Sequence, residues 1–297
     1  MDQFYYGIDG TGPFNDAEYA VKFRNSYVNL FGREYSWTKQ GYDRGPSRDG
    51  ISTKSKGSDA AKIIELWMKG LQAKSGTDEK NKPLVVLAGY SRGGAAAIHA
   101  CNLLRDAGIM VDGLLLFDAV DRAVNLSDVE RVPWNVRTVF HARRNAATDS
   151  RTTFGNCGTS LAIPPSPRGL RAGTYRERYF HGTHGAMGGV PWVAPVARPV
   201  RPVTALGVAK ALVSPGGLPG DVADRLQTMQ HNAKVAAHDP VVDKISEHVL
   251  FDTEVTYQQE SEAMAQVGHW MRAGLQMIKN SRYQNILGRP ASIKNFA

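Results

Sequence analysis

Pro83-Leu-Val-Val-Leu-Ala-Gly-Tyr-Ser-Arg-Gly-Gly-Ala-Ala-Ala-Ile-His-Ala-Cys-Asn-Leu-Leu104 reads as a buried strand, a forced tight turn and a helix in unbroken succession. Leu84 to Ala88 is the short apolar run of a parallel strand covered on both faces. Ala95 to Leu104 favours helix. Between them Gly89 and Gly93 flank Ser91 in the pattern Gly-x-Ser-x-Gly. Lacking Cβ atoms, the two glycines let strand and helix approach closely enough to force the serine into a sharp turn. Such an elbow lifts the Oγ above the sheet and aims the backbone N–H groups of a helix N-terminus at the place where an oxyanion would develop. The pentapeptide alone is also compatible with plain packing or a phosphate loop. No Gly-Lys-Ser/Thr follows, as a Walker loop requires. The strand before and the Ala-rich helix after supply the context that makes Ser91 a candidate nucleophile.

Working outward, Phe4 to Ile8 reads as a first strand ending in the turn Asp9-Gly-Thr-Gly-Pro13. A loop in that position can donate a second oxyanion N–H from Gly10, Thr11 or Gly12, with Arg92 donating the first. Ala17 to Phe31 has helical spacing, residues 41–58 form a polar, glycine-rich loop, and Ser58 caps a helix reaching Leu71. Gly113 to Phe117, Asn135 to Ala142 and Tyr175 to Phe180 read as further strands. Strands alternating with helices predict an α/β-hydrolase-like, doubly wound, mostly parallel sheet with its site at the strand C-termini. Residues 1–190 make that core. Residues 191–220, rich in Pro and Gly, read as an irregular flap or lid. Residues 221–297 read as a helical C-terminal part of the same domain, with helices over Asp221–His238, Val241–Phe251 and Glu254–Asn280.

A serine hydroxyl needs a base to take its proton and an acid to hold that base in the right tautomer. His181 and His184, in the glycine-cornered loop His181-Gly-Thr-His-Gly-Ala-Met-Gly-Gly189, fit the chain order serine, acid, histidine, and His184 stands deeper in that loop. His99 falls on the elbow helix and His141 inside a strand, while His238, His248 and His269 stay open if the base comes from the C-terminal part. For the acid, Asp118 at the tip of the strand after the elbow helix, Asp149 after the following strand, and Asp121 are all candidates.

The chain has 297 residues with 42% hydrophobic content and a net charge of +8. That length buries a sizeable core. The positive charge fits an anionic partner such as a membrane surface or an acidic protein, and with no dense Lys/Arg run nucleic acid is not expected. Cys101 and Cys157 have no metal-type spacing and predict no disulfide framework. The first residues lack a basic start and an apolar core, so the expected location is the cytoplasm of the producing cell, with any secretion independent of a signal peptide.

Taken together, Gly-Ile-Asp-Gly-Thr-Gly, Gly-Tyr-Ser-Arg-Gly-Gly-Ala, Phe-Asp-Ala-Val-Asp, Phe-His-Ala-Arg-Arg-Asn followed by Ser-Arg-x-x-Phe, and His-Gly-Thr-His-Gly-Ala-Met-Gly-Gly resemble the α/β-hydrolase family that includes type VI secretion lipase effectors. The resemblance spans roughly residues 4–190. It implies Ser91 as nucleophile, His184 as base and Asp118 as acid. It implies a lipase or phospholipase acting on other bacteria, needing no cofactor or metal, with an immunity or secretion partner. Where that family usually has Ser-Asp after the histidine, Gly185-Ala186 stand here. The same scaffold without turnover would be an interaction protein, and the same triad offered an acceptor alcohol would be an acyltransferase.

Overall fold

A computed structural model of the protein describes residues 1–47, 50–75, 82–121, 126–151, 154–165, 173–193, 244–248 and 251–286. Its centre is a six-stranded sheet built from β1 (Gln3–Ile8), β2 (Lys39–Asp43), β3 (Leu84–Tyr90), β4 (Gly113–Phe117), β6 (Thr138–Arg144) and β8 (Thr174–Phe180), in the order β2-β1-β3-β4-β6-β8. Every pairing in it is parallel. The short strands β5 (Arg131–Val132) and β7 (Ser160–Leu161) pair separately.

Side chains alternate between two cores, as strand geometry requires. Phe4, Tyr6, Ile8, Val85, Leu87, Leu114, Leu116 and Val139 meet Ala60, Ala61 and Ile64 of α3 (Thr53–Ser75) and the alanine-rich face of α4 (Arg92–Asp106). On the opposite face Tyr5, Val86, Ala88, Leu115, Phe117 and Phe140 meet α2 (Tyr27–Glu34) and the last helix, α6 (Tyr257–Ile286), through Val28, Phe31, Val267, Met271 and Leu275. Strands buried on both sides are apolar without interruption, and each fully buried Leu or Ile contributes about 1.5–3 kcal/mol. This is the doubly wound α/β-hydrolase-like arrangement expected, with a C-terminal helix laid on one face.

Several boundaries differ from the sequence reading. The helix expected over Ala17–Phe31 is two, α1 (Asp16–Lys22) and α2, because Asn15 and Ser26 each cap one: Asn15 accepts from the N–H groups of Ala17 and Glu18, and Ser26 from that of Asn29. The loop expected from residue 41 overlaps β2, and α3 begins five residues before Ser58. β2 is an edge strand whose polar sequence shows no alternation; pairing with β1 defines it. The helix expected over Val241–Phe251 is instead an antiparallel hairpin of β9 (Lys244–His248) and β10 (Phe251–Thr256). Ile245, Thr253 and Val255, β-branched and buried, suit strands better than a helix surface. α6 begins at Tyr257 rather than Glu254, because Thr256 and Gln259 form a reciprocal cap: the Gln259 N–H donates to the Thr256 hydroxyl at 3.2 Å and the Thr256 N–H to Gln259 Oε1 at 2.9 Å. Most of the expected flap, from residue 194 onward, and the helix expected over 221–238 lie outside the described residues. Among the described residues no helix is long and apolar enough to cross a membrane.

Candidate active site

β3 delivers the chain to Ser91, whose φ of 56° and ψ of −131° are strained for a residue with a side chain. Packing over-determines that strain. A Cβ on Gly93 would lie 2.2 Å from the carbonyl oxygens of both Ile8 and Asp9, and one on Gly89 would lie 2.5 Å from the Gly93 oxygen. Only glycine lets α4 start this close to the ends of β1 and β3.

Asp118 follows β4 with φ 47° and donates its N–H to the Ala142 carbonyl at 2.7 Å. His184 opens the short helix α5 (His184–Gly188), capped by Thr183, whose hydroxyl accepts from the Gly185 N–H at 3.1 Å. These three elements converge. His184 Nε2 is 2.9 Å from Ser91 Oγ, and His184 Nδ1 is 2.7 Å from Asp118 Oδ2. Ser91 and His184 are each 6% exposed and Asp118 1%.

Burial pushes the Asp118 carboxyl up, but its bond to His184, the imidazole charge and the Arg144 guanidinium outweigh burial and hold it well below the carboxylate range. Burial pushes the His184 imidazole below its ordinary value, and Asp118 only partly opposes this. His184 is therefore neutral at neutral pH. With a carboxylate at Nδ1 the proton sits there, leaving Nε2 to accept from the Ser91 hydroxyl.

Other sequence candidates stand elsewhere. His181 and Asp149 face solvent, and Asp149 sits in a left-handed conformation after a one-turn helix. Asp121 lies three residues past Asp118, the carboxylate that bonds His184. His99 Nε2 is 3.4 Å from Ser58 Oγ, between α4 and α3. His269 is exposed on α6. His238 lies outside the described residues; His248 ends β9, and its side chain lies outside them too. His141, buried in β6, accepts the Ala119 N–H at its Nε2, 3.1 Å away. Burial pushes it down to about 4, so it stays neutral and pins the turn carrying Asp118.

Around the elbow, Arg92 contributes the first amide of α4, and its guanidinium reaches the Ser47 carbonyl at 3.1 Å. The Gly10 N–H donates to Asp9 Oδ1 at 3.0 Å and is thereby turned toward the preceding residue's carboxylate. Gly12 packs under the stacked rings of Tyr19 and Phe23. Of the three loop amides, those of Thr11 and Gly12 make no hydrogen bond among the described residues.

Sequence reasoning missed four supports of this site. The Arg144 side chain bonds Asp118. Ser150 Oγ accepts the His184 N–H at 2.9 Å. Glu260 on α6 accepts from the N–H and hydroxyl of Thr183 at 2.8 and 2.7 Å, and from the Trp192 N–H at 3.1 Å. Asp9 accepts from the Ser26 hydroxyl, the Tyr42 hydroxyl and the Gly10 N–H. The motifs quoted above contain Asp9, Arg144 and Ser150, but their roles depend on contacts through space.

Burial pushes the Asp9 carboxyl up to about 7, against those three hydrogen bonds. A folded-state value above the unfolded one means that the folded protein holds this proton more tightly. The resulting stability is present below about 4 and is lost as pH rises through about 7. Scanning calorimetry is expected to show the melting temperature of wild type falling relative to Asp9→Asn between those two pH values. Parallel curves for the two proteins would contradict it.

No protein-family model matches the chain, and no curated protein matches it. Among solved structures it is similar to an uncharacterized protein from Pseudomonas aeruginosa, at 14% identity and a TM-score of 0.39 over 63% of this chain and 42% of that one. It is similar to a thioesterase of the prodiginine pathway in Streptomyces coelicolor, at 13% identity and a TM-score of 0.32 over 63% of this chain and 80% of that one. A ferulic acid esterase from Streptomyces cinnamoneus aligns at 14% identity with a TM-score of 0.40, covering 100% of this chain and 71% of that one.

Proposed function

We propose that the protein is a serine hydrolase of carboxylic esters. The observation that carries this reading is the continuous chain of contacts from Asp118 through His184 to Ser91, at 2.7 and 2.9 Å, with the serine on a strained strand–helix turn. His184 Nε2 takes the Ser91 proton as Oγ bonds to the ester carbonyl carbon. The amide of Arg92 and one from the Thr11–Gly12 turn stabilise the oxyanion. Collapse of the tetrahedral species breaks the ester C–O bond, and His184 gives its proton to the departing alcohol. Water, deprotonated by His184, then attacks the acyl-serine, and His184 returns the proton to Ser91 Oγ as the bond from Oγ to the acyl carbon breaks and the acid leaves.

A fluorophosphonate probe is expected to label the native protein on Ser91 alone, with the adduct mapped by mass spectrometry of peptides. Absence of labelling would favour an interaction scaffold that does not turn over. Product esters formed when an acceptor alcohol is supplied would favour an acyltransferase.

The finer reading is a lipase or phospholipase deployed against other bacteria. The ordered motifs shared with type VI secretion lipase effectors support it, and so does the net charge of +8, which suits an anionic bilayer. Fatty acid release from phosphatidylglycerol vesicles is expected from wild type. Turnover of short soluble esters with none from vesicles would sink the lipid assignment while leaving the esterase.

A further inference from the structure

We propose that Arg144 is a positioning residue of this site, a single guanidinium that orients both the acid and the base of the triad. The inference rests on the serine hydrolase reading and adds a residue to it. Arg144 closes β6, its side chain only 9% exposed. Its planar fork is used in three directions. Nη1 donates to Asp118 Oδ2, the same oxygen that His184 Nδ1 meets at 2.7 Å. Nε donates to the Ser150 carbonyl at 2.7 Å, and Nη2 to the Arg151 carbonyl at 2.9 Å. The Arg144 backbone N–H adds a longer contact to Asp118 Oδ1, at 3.4 Å.

The two carbonyls belong to the loop that holds the base. Ser150, whose carbonyl Arg144 fixes, accepts the His184 N–H on its hydroxyl at 2.9 Å. One side chain thus ties the carboxylate at the end of β4 to the segment that seats the imidazole. A lysine would bring the charge but not the fork, since an ammonium is a point charge on a flexible stem.

Arg144 also sets the charge against which the imidazole protonates. The groups facing His184 are Asp118 from β4, Arg144 from the end of β6, Arg151 from the loop after it, and Glu260 of α6 behind the neighbouring Thr183. Tyr90 and Phe154 place rings 5.0 and 5.5 Å from the imidazole, and the Tyr90 hydroxyl donates to the His184 carbonyl at 3.1 Å. Asp118 favours the imidazolium, while Arg144 and Arg151 oppose it. Offsetting part of the acid's field helps to keep the base unprotonated at lower pH, and the bonds to the fork keep it aimed at Ser91.

The test compares wild type with Arg144→Gln and Arg144→Lys in two measurements. In the first, the His184 ring is titrated by NMR with labelled histidine, its signal assigned by its loss in His184→Gln. The midpoint in Arg144→Gln is expected about one pH unit above wild type, and that of Arg144→Lys close to wild type. In the second, kcat/KM for p-nitrophenyl butyrate is followed against pH. Its acid limb is expected to move with the titration, and both variants are expected to lose roughly a hundredfold above that limb because the fork is gone. An unmoved midpoint in Arg144→Gln, or full turnover in Arg144→Lys, would overturn the proposal. If Arg144→Gln does not fold by circular dichroism, the turnover of Arg144→Lys decides alone. The titration uses no substrate, so it is read separately from Ser91→Ala, whose retained turnover would remove the hydrolase reading itself.

Discussion

Ser91→Ala is expected to lower kcat for ester hydrolysis by on the order of a thousandfold or more, leaving KM and the melting temperature near those of wild type. The hydroxyl is the only atom removed, and it sits 2.9 Å from the base. Without it the acyl-enzyme cannot form, so the two-step route closes. What remains is the contribution of the amides around the elbow and of binding, which raise direct attack by water only modestly. Helix α4 should not notice the change: Ser91 stands at its N-cap without a side-chain bond to the helix. Steady-state kinetics and a thermal melt on the same preparation check both halves. Retained turnover would show that the serine is not the nucleophile, and a collapsed melt would show that the site and the fold cannot be separated at this position.

Gly93→Ala is expected to be severely damaging, costing about 3 kcal/mol or more in chemical denaturation. The added methyl would sit 2.2 Å from two backbone oxygens, of Ile8 and Asp9. Neither can rotate away as a side chain would, so β1 and α4 must separate. That movement carries the Thr11 loop away from Ser91, and residual activity should fall further than stability alone explains. Gly70→Ala is the control, because a Cβ there meets nothing within 4 Å on the exposed side of α3. It should stabilise the protein by about 0.5–1 kcal/mol through helix propensity. Equal effects at the two glycines would mean that close approach at the elbow is not what requires residue 93 to be glycine.

What could be read from sequence follows physical range. β1, β3 and β4 are mainly apolar runs buried on both faces, and a run of that kind announces itself locally. β2 does not, because Lys39 to Asp43 becomes a strand only by pairing with β1. The β9–β10 pair reads as helix in the sequence because short segments mixing apolar and polar residues satisfy both periods. At the site, Ser91 and the glycine loop around His184 are local motifs, legible as such. Which of Asp118, Asp149 and Asp121 meets the imidazole is a matter of where three strand ends point, and neither spacing nor composition encodes that. Glu260, bonded to a residue 77 positions earlier, is beyond any local reading.

That distant glutamate gives the molecule a built-in order of events. Every atom of the triad has been synthesised by residue 184, yet the carboxylate seating Thr183 arrives only with the first turn of α6. A nascent or clipped polypeptide ending before that turn would own all three reactive groups and lack the strut beneath one of them. Competence for chemistry is thereby coupled to the docking of α6.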